Sequence, residues 1–375
     1  MNSPRILISG AGIAGLALAR RLKQLGMEYT LVEKRSATEH STSGIALPFN
    51  AMLALREFGL AEQVLDAAHQ VREVIYARKD GTVLGRASLL QAPLNKDKFV
   101  AIQRSKLHEI LLDGILPHIH FETSIESIDD QGDGVQVLCS NPALSGKYDV
   151  VISAEGIHSR LREQCFPAEA TMVDYKMPTW RFLVNYPNHN FQPTYMLGRT
   201  ELFMAYPLSP DSLYCYGHVY DAANRYGSGN PREHLQKLFG GFGGEVSNVL
   251  QRTGQGAILA GRMESVARPY YAKGRVVFIG DAAHGCSPLL QQGAALAFED
   301  ALCLAEQFHK NPVDQAIAAY QNIRAPRVSW VVKTSDGPIR MMKLMDHPLG
   351  TFIRDMIVRK KGPLNADGWK QLASQ

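Results

Sequence analysis

The chain has 375 residues, 45% hydrophobic and 20% charged, which suits a globular protein of two domains with a sizeable core. A net charge of +4 is too mild to indicate nucleic acid, and no run of 18 uncharged apolar residues offers a transmembrane helix. The five cysteines, Cys139, Cys165, Cys215, Cys286 and Cys303, show no CxxC spacing. They read as reduced thiols of a cytoplasmic protein, not as a disulfide framework, and no metal site is expected.

The apolar N-terminus is better read as a strand and a helix than as a signal peptide. RILIS (Arg5–Ser9) has the length of a buried parallel strand, and AGLALARRLKQLG continues with helical character to a C-capping Gly26. Between them lies a GxGxxG loop, with Gly10, Gly12, Ala14 and Gly15 in its span. Gly10 permits the tight turn, Gly12 lets backbone approach a pyrophosphate, and Gly15 lets the helix pack on the strand. The helix N-terminus offers free N–H groups and partial positive charge to phosphate. The next strand, YTLVEK, brings Glu33 and Lys34, and Glu33 is placed to accept hydrogen bonds from an adenosine ribose. This constellation predicts a Rossmann-type dinucleotide site and leaves open whether the ligand is NAD(P) or FAD.

Further along, STSGIALPFN precedes a helical stretch, AMLALREFGLAEQVLDAA, and then two strands turn at Asp80-Gly81. QRSKLHEILLDGI reads as a helix, and YDVVISAEG as a further strand of the nucleotide domain. From about 170 to 267 the chain is rich in Tyr, Phe, Pro and Gly, and its alternating runs predict an antiparallel sheet. In LYCYGHVY the alternation places Tyr214, Tyr216, His218 and Tyr220 on one face and Leu213, Cys215, Gly217 and Val219 on the other. The first face is either a cavity wall or the outer face of a half-buried sheet. Tyr206, before Pro207, and Arg181, after Trp180, are further candidates; Arg181 suits an acidic or phenolate substrate or a structural ion pair.

GRVVFIGDAAHG returns to a buried strand that delivers Asp281, and Gly293 opens the helix that follows. An acid there can bind a sugar-type hydroxyl, and the helix N-terminus can stabilise negative charge on a flavin ring or phosphate. A second nucleotide-contacting strand end this far from the first suits an extended FAD better than NAD. His284 reads as a turn-stabilising histidine, not a base. Residues 320–375 carry ten Lys/Arg against four Asp/Glu. Within them PLGTFIRDMIVRKKG has apolar residues at helical spacing, and three roles stay open for it: packing on the FAD domain, a lid, or a basic membrane-surface contact.

With these motifs in order, the chain resembles the class A flavoprotein monooxygenases of the para-hydroxybenzoate hydroxylase fold. GDAAHGCSPLLQQGAALAFEDA is similar to that family's GD motif. The resemblance implies that Asp281 contacts the FAD ribityl chain, that Pro288 sits near the flavin, and that the backbone of Gly293, Ala294 and Ala295 supports the ring. STSGIALPFN resembles the stretch passing the isoalloxazine, which implicates Gly44 and Ile45, and QRSKLHEIL resembles the helix whose arginine, here Arg104, reaches FAD. ISAEGIHSRLR resembles the DG motif and implicates Glu155 and Gly156, with glutamate where aspartate is usual. Gln291 stands for a common glycine and Ala295 for a common asparagine. Arg160 and Arg162 read either as cations on the nucleotide path or as a solvated helix face.

The fold implied is α/β. A discontinuous Rossmann-like FAD domain would span 1–70, 101–168 and 268–335, with an inserted substrate sheet from 71–100 and 169–267 and a helical segment at 336–375. The activity implied is NAD(P)H-dependent insertion of one oxygen atom from O2, through a flavin C4a-hydroperoxide, into an aromatic, heteroaromatic or polyketide-like small molecule. Arg181, Tyr206, Tyr214, His218 and Pro288 are the candidate catalytic residues. An epoxidase or tetracycline-inactivating oxygenase on the same fold, and a low-turnover flavin-binding protein, are the alternatives. A monomer or homodimer is expected.

Overall fold

The computed structural model describes residues 4–36, 43–253 and 258–374; Ser41 and Thr42 of the STSG stretch lie outside them. The fold is mixed α/β, with a helical C-terminus. A six-stranded sheet runs in the order Ala272–Lys273, Val276–Phe278, Val150–Ser153, Ile6–Ser9, Tyr29–Val32, Ile119–His120. All its pairings are parallel except that of the edge strand Ala272–Lys273. Its central strands are buried at every position, as a sheet covered on both faces requires. One face packs the helices Ile13–Gln24 and Gly293–Lys310 through Leu16, Ala17, Leu304 and Ala305. The other, with Leu7, Val32, Val151 and Phe278, meets a three-stranded antiparallel sheet carrying Val135, Val137 and Tyr148.

The strand ends fix the site. Gly10–Gly15 follows Ile6–Ser9, Glu33 follows Tyr29–Val32, Glu155 follows Val150–Ser153, and Asp281 follows Val276–Phe278. In an open α/β sheet the crevice beyond these carboxyl ends is where ligands bind.

The second sheet has seven strands, in the order Leu259–Val266, Met172–Asn185, Ser212–Val219, Glu201–Ser209, Thr194–Leu197, Glu73–Arg78, Val83–Ser88. Its pairings are antiparallel, as expected, except that Thr194–Leu197 pairs in parallel with Glu73–Arg78. Those two strands belong to separate excursions of the chain, so no hairpin dictates their sense. The alternation in LYCYGHVY holds: Leu213, Cys215 and Val219 join Trp180, Phe182 and Phe203 beneath the helices Pro231–Phe239 and Val246–Arg252. Tyr216 faces the opposite core with Tyr206, Leu290 and Trp369, and Tyr214 packs against it. That face is therefore a wall between the two layers and not an outer surface.

Two boundaries differ from expectation. The stretch after Pro48 is two helices, Phe49–Glu57 and Ala61–Ala67, broken at Gly59, whose φ of +71° is left-handed. The helix Val313–Arg340 continues unbroken through position 336. Beyond it lie the helices Pro348–Lys361 and Leu364–Ala373, the latter holding Trp369 under the loop at Leu290 with a 2.8 Å bond from Trp369 Nε1 to the Leu290 carbonyl.

Candidate active site

The glycine loop is shaped by sterics. A Cβ on Gly10, whose φ is +105°, would lie 2.6 Å from the Ala154 carbonyl oxygen, and one on Gly15 would overlap the Gly10 carbonyl. Gly12 differs, because nothing lies within 4 Å of where its Cβ would be. It caps the helix Ile13–Gln24 with no side-chain hydrogen bond, which leaves the first N–H groups of the helix without a side-chain cap and open to an anion. Glu33 buttresses this loop: its carboxylate accepts from Ala11 N at 2.8 Å and from Arg35 N at 2.9 Å. Each oxygen keeps acceptor capacity for a ribose hydroxyl. Lys34 is exposed beside it.

The second half of the cradle shows in exposure. From Val276 to Phe298 the chain is buried or half-buried except at Asp281, Pro288 and Gly293. Those three are residues the GD-type motif singled out. Asp281 begins the short helix Asp281–His284 instead of ending the strand, and its Oδ1 is 3.6 Å from where a Cβ on Gly293 would sit. The helix Gly293–Lys310 also starts without a side-chain cap, and Ala294 and Ala295 are buried beneath its first turn. Gly156, with φ +79°, likewise borders open space, and Ile45 is half-buried. Two uncapped helix N-termini, an exposed acid and a ribose-competent carboxylate at one sheet end fit an extended dinucleotide such as FAD.

Two motif residues are placed otherwise than expected. Glu155 points into protein: Oε1 accepts from Ser9 Oγ at 2.7 Å, and Oε2 accepts from Ser159 Oγ at 2.9 Å and Leu161 N at 3.0 Å. It joins the first strand to the N-terminus of the helix Arg160–Cys165. Arg162 is fully buried, donating to the Ala282 carbonyl at 2.8 Å and the Ile157 carbonyl at 2.5 Å, so neither reading of it as a surface or path cation holds. Arg160 is exposed.

The opposing wall is the inner face of the large sheet. Register sets Arg181, Tyr216, Met204, Tyr195 and Tyr76 in one row across five strands, with Leu183, Tyr214 and Tyr206 in the next. The Arg181 guanidinium lies 5.4 Å from the Tyr216 ring centroid and has no carboxylate partner among the described residues. Burial drives the His218 pKa down to about 3, with Arg181 adding to the effect, so its imidazole is neutral; Nδ1 is 3.1 Å from the Tyr216 hydroxyl. Burial also pushes Tyr206 up to about 12, leaving a neutral phenol 3.0 Å from the Tyr195 hydroxyl. A Cβ on Gly44 would lie 2.5 Å from Tyr214 Cγ, so the wall and the 44–47 strand touch there. Arg104 is exposed at the start of its helix, with its N–H bonded to the Ser43 carbonyl at 2.8 Å.

A family model described as FAD binding domain matches residues 4–335. The chain belongs to the FAD-dependent aromatic hydroxylase and monooxygenase family. The chain is similar to 2-heptyl-3-hydroxy-4(1H)-quinolone synthase of Pseudomonas aeruginosa, with 28% identity over 94% of this chain and 93% of that protein. It is 27% identical to 3-amino-4-hydroxybenzoate 2-monooxygenase PtmB3 of Streptomyces platensis, over 94% of each chain. In fold it matches Klebsiella pneumoniae HpxO complexed with FAD and uric acid at a TM-score of 0.87, with 22% identity, covering 99% and 97% of the two chains. No helix among the described residues is long and apolar enough to cross a membrane.

Motif reading of this FAD monooxygenase misses a buried polar network under the cradle. Asp300, fully buried, accepts from Gly280 N at 2.9 Å and Arg324 Nε at 2.7 Å and lies 2.6 Å from His284 Nε2. Burial alone would raise its pKa, but His284 and Arg324 overcome that and hold it at about 2. Arg324 and Arg327 both grip Glu299, whose Oε1 accepts from Asn50 at 2.9 Å. The network fixes the turn that carries Asp281, and His284 is structural, as expected. The signal was an acid pair, Glu299-Asp300, inside an apolar helix, which must be partnered if buried. Gln291 is the second omission. It sits in the left-handed region at φ +53° and donates from Nε2 to the Tyr195 hydroxyl at 2.7 Å, while its buried Oε1 has no partner among the described residues.

Proposed function

We propose that this monooxygenase uses NAD(P)H and O2 to insert one oxygen atom into an aromatic or heteroaromatic ring that carries an acidic oxygen. Arg181 carries the reading. A half-buried guanidinium without a carboxylate, set over Tyr216 on the wall that faces the cofactor cradle, is suited to an anionic group. Tyr214, Tyr216 and Tyr206 supply ring-stacking surface and neutral hydroxyls, and His218 stays an uncharged hydrogen-bonding partner at working pH. The names of the two relatives, a quinolone synthase and an amino-hydroxybenzoate monooxygenase, are consistent with such a ring.

Bound FAD supplies the redox chemistry and O2 activation. The protein's part is to hold it and keep water out. Gly12 and the helix behind it receive the pyrophosphate, Glu33 the ribose, and Asp281 the chain leading to the ring. Pro288, the first turn at Gly293–Ala295, Gly44, Ile45 and Arg104 would hold the ring end of the cofactor. The five free thiols support a reducing, cytoplasmic setting.

The test is NAD(P)H oxidation by the FAD-loaded enzyme with a panel of aromatic acids, phenols and their uncharged analogues, followed by product mass. Stimulation by acidic rings, with products heavier by one oxygen, is expected. In Arg181→Met, KM for the acidic substrate should rise about 10- to 100-fold, the worth of a charged hydrogen bond, while an uncharged analogue is unaffected. Equal KM changes for both would refute the role given to Arg181.

A further inference from the structure

The helix Pro348–Lys361 is amphipathic in the wrong sense for a packed element. Its inward side is polar: Asp355 is buried and paired with Arg78 Nε at 2.6 Å, and Arg354 donates to the Gly198 carbonyl at 2.6 Å. Only Val358 is an apolar anchor, fully buried, with its carbonyl 3.1 Å from where a Cβ on Gly85 would lie. The outward side carries Leu349, Phe352, Ile353, Met356 and Ile357, spaced to form one stripe, with Phe352 62% exposed. Met341 and Leu344, on the turn packed against this helix, extend it. Seven of the fourteen exposed large hydrophobics among the described residues thus fall between 341 and 357. A patch so concentrated marks an interaction surface.

The charges around it say what kind. Lys343, Arg359, Lys360 and Lys361 are exposed and have no ion-pair partner among the described residues. The acids of the segment are spent: Asp355 is buried in its pair, and Asp346 faces Arg199 at 3.4 Å. An apolar stripe running about 12 Å along this helix, flanked by unpaired cations and no free anions, is complementary to an anionic lipid surface. A second copy would bring the same uncompensated cations against themselves.

We propose that the helix Pro348–Lys361 and the preceding turn dock the protein peripherally on anionic membranes, with the stripe in the headgroup–acyl boundary and the four cations on lipid phosphates. The Arg78–Asp355 and Arg354–Gly198 contacts would hold the helix to the sheet in that state.

The test is co-sedimentation of the full FAD-loaded chain with phosphatidylcholine vesicles, alone or containing phosphatidylglycerol. Binding should require phosphatidylglycerol and weaken with salt. Phe352→Glu with Met356→Glu should abolish it. Arg359→Gln, Lys360→Gln and Lys361→Gln should each weaken it about fivefold, the equivalent of about 1 kcal/mol per charge. Both apolar positions are exposed, and unchanged FAD absorbance and melting would confirm that the variants fold. Absence of vesicle binding, binding that survives the double substitution, or a solution dimer dissolved by it without vesicle binding would each overturn the proposal. The readout does not involve turnover, so it stands apart from the substrate reading above.

Discussion

Replacing Asp300 by asparagine keeps the shape of the side chain and removes the one negative charge between His284 and Arg324. Its carboxyl titrates near 2 in the folded protein against an ordinary 3.8, a difference of 3.8 − 2 = 1.8. At about 1.36 kcal/mol per pH unit this is on the order of 2–3 kcal/mol of stability. Leaving Arg324 partly uncompensated in the core can bring the loss to about 3–5 kcal/mol. Because the folded pKa is depressed, the contribution is complete above the unfolded value and fades as pH falls from about 4 toward 2. Urea unfolding of wild type and Asp300→Asn at pH 5 should therefore differ by about 2–5 kcal/mol, and the gap should narrow by about 1 kcal/mol at pH 3. FAD retention should fall as well, since Gly280 N loses its charged acceptor next to Asp281. A gap below about 1 kcal/mol at pH 5, or one that widens on acidification, would refute this account of the network.

Asp281→Ala removes an exposed carboxylate, so the melting temperature of the cofactor-free protein should hold while FAD is lost on gel filtration; full retention would remove Asp281 from the cradle. Glu155→Asp shortens a side chain that reaches Ser9, Ser159 and Leu161 N together, so one or two of those bonds break and unfolding free energy should drop by about 1–2 kcal/mol, measured by urea titration. Gln291→Gly exchanges a left-handed glutamine for the residue that tolerates φ +53°. Its melting temperature should stay within a few degrees, while KM shifts because the Tyr195–Tyr206 pair loses its amide donor; steady-state kinetics against a thermal melt separates the two effects.

Much of the site was legible because its signals are local. The glycine spacing and Glu33 follow from a strand, a turn and a helix within thirty-odd residues, and Asp281 and Gly293 from one strand-to-helix passage. The alternation around Tyr216 also survived, since period two is fixed by the strand itself. What escaped depends on distant partners. The direction of Glu155 is set by Ser9, 146 residues away, and the burial of Arg162 by Ala282, 120 residues away. The parallel pairing of Thr194–Leu197 with Glu73–Arg78 likewise joins segments with no shared turn. Gln291 took a glycine's backbone conformation, which its residue type conceals.

The central claim is that the cradle and the Arg181 wall together deliver one atom of O2 to an acidic ring. Turnover under ¹⁸O2 with NAD(P)H and the best acidic substrate, read by mass spectrometry, tests it most directly. The account predicts one ¹⁸O atom in the product, with Arg181→Met losing that product at low substrate concentration. Product oxygen drawn from water, or NAD(P)H oxidation that yields only peroxide with every ring tested while FAD stays bound, would contradict it.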